Sequence, residues 1–213
     1  MKLRLLMALT IAALCFASVP FASAAPVTVD FDSIAATCCY GDVIPNTGRG
    51  PQLTFGILQI NNGVVMDNSG WNNLATTAPN LYGTSDYAAL NDGSLLPGNI
   101  DMIFSSPVSN LGFDLINGFG AAAFTTYAFD SNGNILGFDI ENLNCFGCGG
   151  EVAHVAFGFG GISEVAILSG QPTGSIDFAV DTITYNPVPE PGTLMLLGTG
   201  LAGLWSQRKR FFS

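Results

Sequence analysis

Apolar residues in this chain recur at every second position within short segments, and this period constrains the fold more than any other feature. Val64–Asp67 and Ala122–Phe129 show the alternation plainly, and turn residues interrupt such segments at intervals of about ten residues. A period of two places successive side chains on opposite faces of a β-strand. Asn132-Gly133 predicts a hairpin, because both residues tolerate positive φ. We therefore predict an all-β fold, a jelly-roll-like antiparallel β-sandwich.

The segments predicted as strands share this pattern and are bounded by turn residues. They are Val27–Phe31, Leu53–Ile60, Val64–Asp67, Asn99–Ser105, Asn110–Ile116, Ala122–Phe129, Ile135–Ile140, Val152–Phe157, Ser163–Leu168 and Ser175–Tyr185. Residues 35–51 and 68–98 lack the pattern, and the second region is dense in Asn, Thr, Gly and Pro. We predict long loops in both regions, and loops on a sandwich are frequent binding sites.

The N-terminus, residues 1–24, has the layout of a secretory signal peptide. Two basic residues precede an apolar run, Leu5–Phe16, and small residues follow it in Ala22-Ser23-Ala24. We expect signal peptidase to cut after Ala24. The alternative is a retained anchor helix.

The C-terminus, residues 187–213, carries a second signal. Pro189-Glu190-Pro191 leads into an apolar stretch, Leu194–Trp205, and the chain closes with Arg208-Lys209-Arg210. A helix of that length covers about 18 Å, which is short for a hydrocarbon core of about 30 Å. The basic cluster is expected to stay cytoplasmic, which leaves the preceding chain outside.

This order of motif, short helix and basic tail resembles the PEP-CTERM sorting signal, which is also known as the ice-binding protein C-terminal domain. The resemblance implies processing by an exosortase-type membrane protease. It also implies a transient inner-membrane anchor, followed by release to the cell surface or the extracellular space. The alternative, an ordinary tail anchor, would not need Pro189-Glu190-Pro191. The resulting division is a signal peptide (1–24), an ectodomain (25–186) and a sorting signal (187–213).

Charge excludes several classes of function for the ectodomain. Of the 16 acidic residues only Glu190 lies outside residues 25–188, and of the six basic residues only Arg49 lies inside, which gives a formal net charge of −14. Such a domain cannot neutralise phosphates, so we expect no nucleic-acid binding and no attraction to anionic lipid. An acidic surface is compatible with neutral glycans and with divalent cations.

Four cysteines remain after removal of the signal peptide: Cys38, Cys39, Cys145 and Cys148. An even number in an exported protein predicts disulfides, and we favour bridges that link the first pair to the second. A vicinal bridge, a four-cysteine zinc site and a redox-active Cys145/Cys148 pair stay open as alternatives.

Phrases such as Val27–Asp32 and Phe178–Tyr185 resemble the β-sandwich ectodomains often found before PEP-CTERM signals, and those ectodomains resemble jelly-roll carbohydrate-binding modules. In those modules the two terminal strands commonly hold a structural calcium, and Asp30, Asp32 and Asp181 match that pattern by position. Backbone carbonyls or water would have to complete the coordination shell. The alternative is that these carboxylates simply face solvent.

Aromatic side chains beside polar ones can stack on sugars, and Trp71, Tyr82 and Tyr87 fit this description in composition. The alternative for Trp71 is a core position beneath a loop. Catalysis is not indicated, because His154 is the chain's one histidine and no nucleophile elbow or metalloprotease motif occurs. Paired carboxylates for glycoside hydrolysis stay open.

These observations predict an exported, exosortase-processed protein of the cell surface or extracellular matrix, with a role in adhesion or matrix assembly and no catalysis. Extracellular polysaccharide is the expected partner. A calcium-dependent, lectin-like carbohydrate-binding module is the first alternative, and a secreted polysaccharide-active enzyme is the second.

Overall fold

The computed structural model describes residues 25–34, 36, 43–44, 52–71, 74–84, 89–90, 98–117, 121–144, 151–170, 178–188 and 198, without the side chains of residues 43–44, 70–71 and 89–90. Almost all regular structure there is β. The strands are β1 (Val27–Val29), β2 (Val43–Ile44), β3 (Leu53–Phe55), β4 (Leu58–Asn61), β5 (Val64–Asp67), β6 (Asn80–Thr84), β7 (Ala89–Leu90), β8 (Asn99–Asn117), β9 (Ala122–Phe129), β10 (Ile135–Leu143), β11 (Val152–Ser169) and β12 (Phe178–Pro187). A short 3-10 helix, Asn68–Trp71, follows β5.

Two long antiparallel strands, β8 and β11, organise the sheet because each contributes to two parts of it. The first part of β8 and the last part of β11 pair with each other, and β9, β10, β4 and β3 extend this region. We call it the first half-sheet. The last part of β8 and the first part of β11 also pair, and β12, β1, β6 and β5 extend that region. We call it the second half-sheet.

Both long strands continue through residues that were predicted to end them. Ser105-Ser106-Pro107 lies inside β8 and Gly158–Gly161 lies inside β11. The register between the two strands shifts three times between Phe157 and Glu164, and Gly161 has a φ of 87°. Bulges of this kind bend a strand while its pairing continues. The prediction of turns at these two places is therefore wrong. The residues on which it was based bend the strands instead of ending them.

The two half-sheets face each other across one apolar core. Phe104 of the first packs on Tyr185 of the second at 5.2 Å between ring centroids, and Phe124 packs on Phe178 at 5.4 Å. All four side chains are buried. The predicted all-β, antiparallel sandwich is confirmed. Within the described chain, the parallel pair of β2 and β7 is the exception to antiparallel pairing.

Two further expectations need correction. The predicted single strand Leu53–Ile60 is a hairpin, because Gly56 takes a φ of 59° and turns the chain between β3 and β4. The predicted loop 68–98 contains β6, whose five residues are all buried between β5 and β12. Only Leu81 and Tyr82 of its five residues are apolar. The alternation of apolar residues therefore does not predict β6 as a strand.

The hairpin between β9 and β10 is confirmed. Gly133 has a φ of 79°, and the Asp130 carboxylate accepts hydrogen bonds from the backbone nitrogens of Asn132 at 2.8 Å and Asn134 at 2.9 Å. A second bond, from the Asn134 side chain, holds the pKa of Asp130 below its usual value. The Asp130 carboxylate is therefore committed to closing the turn.

Residues 25–188 cluster as one compact unit. The predicted signal peptide, the four cysteines and the sorting residues from Pro189 to Arg210 lie outside the described residues. Within the described part of the chain, no helix combines the length and apolar character that a membrane span requires.

Candidate functional site

The outer face of the first half-sheet carries large apolar side chains that lie open to solvent. Phe138 is 63% exposed, Ile140 50% and Leu168 44%. Tyr127 and Phe129 are half-buried beside them. We call the surface formed by these five residues the aromatic face. An exposed apolar cluster of this kind on a soluble domain commonly marks an interaction site.

Strand register explains why these side chains converge. Tyr127 of β9 lies opposite Phe138 of β10, and their ring centroids are 6.2 Å apart. Tyr127 is also 6.2 Å from Phe129, two residues along the same strand. Glu164 of β11 lies opposite Phe129 and adds a carboxylate beside that ring. Three aromatic rings thus form a continuous surface with an acidic group at its border.

Further polar groups lie two strands beyond the rings, on β8. Asp101 and Tyr127 flank Ala166 in the register of the first half-sheet. The Asp101 carboxylate accepts hydrogen bonds from the side-chain nitrogens of Asn62 at 2.7 Å and Asn99 at 2.9 Å. These bonds fix the carboxylate in place without neutralising its charge. The aromatic face therefore adjoins positioned hydrogen-bond acceptors.

The outer face of the second half-sheet has a different chemistry. His154, Asp114 and Asp181 are direct neighbours on three adjacent strands, β11, β8 and β12. We call them the polar row. His154 Nδ1 lies 2.7 Å from Asp114 Oδ1. Thr76 Oγ1 lies 2.6 Å from Asp114 Oδ2 and 3.2 Å from Asp181 Oδ2, so it connects the two carboxylates.

Asp181 is fully buried and has a structural role. Its carboxylate accepts hydrogen bonds from the backbone nitrogens of Thr77 at 2.8 Å and Thr182 at 2.7 Å, and from the Thr77 hydroxyl at 3.0 Å. Burial raises the pKa of Asp181, and these hydrogen bonds oppose that rise. Because no oxygen of Asp181 is open to solvent, the Asp114–Asp181 pair is closed to a glycosidic substrate.

Tyr82, expected to stack on sugars, lies in the core. Its side chain is fully buried and stacks on Phe31 at 5.5 Å between ring centroids. Its hydroxyl accepts a hydrogen bond from the Gly63 nitrogen at 2.8 Å, and burial raises its pKa. A buried ring cannot contact a polysaccharide. The expectation that Tyr82 stacks on sugars is therefore wrong. The Trp71 side chain and Tyr87 lie outside the described residues.

The three carboxylates expected to bind calcium have separate partners. Asp30 Oδ1 accepts a hydrogen bond from the Asp32 nitrogen at 3.3 Å, and Asp32 Oδ1 accepts one from the Asn80 nitrogen at 3.1 Å. Asp181 is engaged with Thr77 and Thr182 as described above. Among the residues the structure describes, no three His, Cys, Asp or Glu side chains group as metal ligands. Calcium dependence stays a prediction.

Sequence reasoning missed the aromatic face. Tyr127, Phe129, Phe138 and Ile140 lie in segments that were correctly predicted as strands, but none of them was proposed as a binding residue. The available signal was that β9 carries large residues at both parities: Phe124 points inward while Tyr127 and Phe129 point outward. Packing of a single core requires large apolar residues on only one face of a strand. Large apolar residues on the other face therefore indicate a second contact surface.

The C-terminal region of the chain carries a sorting motif. Residues 187–210 match the PEP-CTERM protein-sorting motif. The predicted sorting signal is thereby confirmed, and it implies export, processing by exosortase-type machinery and membrane-linked sorting to the cell surface.

Solved structures offer only distant likenesses to this chain. The K2 cleaved adhesin domain of Lys-gingipain from Porphyromonas gingivalis has a TM-score of 0.47 at 12% identity over 76% of this chain and 99% of its own. A DUF4465 family protein from Bacteroides caccae has a TM-score of 0.47 at 13% identity over the same shares. The CBM22-1 xylan-binding domain of Xyn10C from Paenibacillus barcinonensis has a TM-score of 0.34 at 11% identity over 79% and 97%. Likeness of this degree carries no inference about function. No curated protein matches the chain at a significant level.

Proposed function

We propose that this chain is a non-catalytic adhesion protein of the cell surface, and that its aromatic face binds neutral extracellular polysaccharide. The observation that carries this proposal is the row of rings formed by exposed Phe138 and half-buried Tyr127 and Phe129 across two neighbouring strands. The apolar C–H face of a pyranose packs on an aromatic ring, and successive rings suit successive sugars of an extended chain.

The polar border supports a sugar ligand over a purely apolar one. Glu164 presents a carboxylate next to Phe129, and Asp101 holds a second carboxylate on the strand beyond Glu164; sugar hydroxyls are ready donors to such acceptors. A membrane or an apolar protein surface would desolvate the Glu164 carboxylate without giving it a partner.

Charge narrows the class of polysaccharide. With 15 acidic residues and only Arg49 basic between residues 25 and 188, the domain repels anionic polymers. A neutral glycan meets no such barrier. The proposal therefore commits to uncharged polysaccharide, and acidic or sulfated polymers serve as negative controls.

The arrangement of the polar row supports a role without catalysis. Asp114 orients His154, and the hydroxyl of Thr76, which contacts the same aspartate, is held between the carboxylates of Asp114 and Asp181. A hydroxyl committed to carboxylates is not available as the nucleophile of a His-activated pair.

The test is binding of the mature secreted protein to the producer's own dialysed extracellular polysaccharide, measured by co-sedimentation with calcium and with chelator. We expect saturable binding that Phe138→Ala weakens at least about tenfold, equivalent to about 1.4 kcal/mol. Asn142→Ala is the matched control, since Asn142 is exposed on the same strand without a ring. Equal binding by wild type and Phe138→Ala would refute the proposal. Loss of binding with chelator alone would favour the calcium-dependent, lectin-like alternative.

A further inference from the structure

A cleft of about 520 Å³ opens at one side of the sandwich, away from the aromatic face. Its lining comes from β1 and the turn after it, from the turn between β3 and β4, and from the end of β12. The lining residues are Val27, Thr28, Val29, Asp30, Ser33, Phe55, Gly56, Ile57, Tyr185 and Pro187. A volume of this size lies within the range of small-molecule sites, about 300–1,000 Å³.

Two short strands border the cleft. β1 has three residues and pairs with β12, and β3 has three residues and pairs with β4. Among the described residues, neither strand has a neighbour on its other edge. The two free edges border the cleft, and β12 forms its inner wall.

Tyr185 is the unusual group in this wall. Its side chain is only 2% exposed and its ring packs on Phe104, so burial raises the pKa of its hydroxyl. Within the described chain no hydrogen bond ends at that hydroxyl, which keeps contact with solvent at the wall of the cleft. The hydroxyl of Tyr82, the other large tyrosine of this core, is instead bonded to the Gly63 nitrogen. Tyr185 thus brings an unused polar group to the cleft.

Asp30, directly after β1, and Phe55 of β3 supply complementary groups. Asp30 is exposed, and its one hydrogen bond within the described residues is the long 3.3 Å contact from the Asp32 nitrogen. Phe55 is half-buried, and its ring meets Phe31 edge-on, with centroids 5.7 Å apart. The cleft therefore combines an apolar ring, a carboxylate acceptor and a hydroxyl that can donate or accept.

We propose that this cleft binds a single sugar residue at the end of a neutral glycan chain. The C–H face of the sugar would lie on Phe55, its hydroxyls would donate to Asp30, and a ring or hydroxyl oxygen would accept from Tyr185. This inference rests on the proposed function, since it assigns a chain end to the cleft and leaves the chain interior to the aromatic face.

The decisive variant is Tyr185→Phe, which keeps the ring in the core and removes only the hydroxyl. In the absence of ligand we expect its melting temperature to equal or exceed that of the wild type, because a hydroxyl without a protein partner contributes little to stability. Its affinity for the sugar should fall at least about tenfold, because a donor in the bound state is lost. Asp30→Asn should weaken sugar binding to a similar degree.

The probes are glucose, galactose, N-acetylglucosamine and short oligosaccharides released from the producer's polysaccharide, with binding to the mature protein followed by calorimetry. Unchanged affinity in Tyr185→Phe, or no saturable binding of any of these sugars to the wild type, overturns the proposal. So does a lower melting temperature of unliganded Tyr185→Phe, since that would give the hydroxyl a structural partner. Polymer binding by Tyr185→Phe and Phe138→Ala, measured side by side, separates the two proposals. Only the cleft is refuted if Phe138→Ala alone is impaired.

Discussion

The outer faces of the two half-sheets both carry apolar side chains, but only one of these faces is covered. On the second half-sheet, residues of β5, β6, β8 and β12 form a small second core with Leu74 and Ala75 from the segment before β6. Its buried members are Val64, Met66, Leu81, Ile116 and Ala179. On the first half-sheet, Phe138, Ile140 and Leu168 stay open to solvent.

Hydrogen bonds connect the covering segment to the sheet at the edge of the covered face. Asp181 binds Thr77 through backbone and side chain, and Thr76 bridges Asp181 to Asp114. These contacts hold the covering segment on the sheet. The outer face of the first half-sheet instead has aromatic rings, with the carboxylate of Glu164 beside Phe129. The difference indicates that the apolar groups of the covered face stabilise the fold, whereas those of the aromatic face are free to bind a partner.

A matched pair of leucines gives the largest expected contrast between the two faces. Leu81→Ala should lower the free energy of unfolding by about 3 kcal/mol, because Leu81 is fully buried in the second core. Leu168→Ala should change it by no more than about 0.5 kcal/mol, because Leu168 is 44% exposed. Urea unfolding of both variants measures the contrast. Equal losses would show that the aromatic face is covered in the native protein.

Removal of the Asp181 hydrogen bonds should lower the free energy of unfolding less than truncation of Leu81 in the second core does. Asp181→Ala leaves the nitrogens of Thr77 and Thr182 without their acceptor, so we expect a loss of about 2 kcal/mol in unfolding free energy. Asp181→Asn retains one oxygen acceptor and should lose less. If the alanine variant proves as stable as the wild type, the covering segment is held by apolar contacts alone.

The carboxyl group of Asp181 should also make a small contribution to the pH dependence of the free energy of unfolding. Burial raises its folded-state pKa above the ordinary value of 3.8, so the folded state binds a proton more tightly than the unfolded state. The contribution of Asp181 to the free energy of unfolding therefore increases as pH falls through the folded pKa toward 3.8. Comparing wild type with Asp181→Asn across this window isolates the effect. A difference that shrinks as the pH is lowered would contradict the sign.

The sequence predicts local structure well where turn chemistry is strong and less well where tertiary contacts decide. Asn132-Gly133 correctly marks the β9–β10 hairpin, because its backbone conformation is intrinsic to those residues. Pro107 and Gly158–Gly161 were taken as strand ends, but pairing with neighbouring strands continues through both. Whether a flexible residue ends or bends a strand depends on its neighbours in space.

The candidate sites depend on register, which the sequence alone does not specify. Tyr127 and Phe138 meet because of the pairing of β9 with β10, and Tyr185 of β12 lines the cleft that β1 and β3 border. Tyr82 was expected at a surface because polar residues surround it, yet β6 lies buried between two strands. Composition can therefore propose binding aromatics, whereas strand order determines which of them face solvent.

The most direct test of the account replaces Phe138 with leucine and measures binding of the mature protein to neutral extracellular polysaccharide. Leucine keeps an apolar side chain at the same exposed position but removes the ring. If the aromatic face stacks on sugars, Phe138→Leu loses nearly as much affinity as Phe138→Ala, while Phe138→Tyr retains binding. Full binding by Phe138→Leu would contradict the account, because apolar bulk rather than an aromatic ring would then suffice.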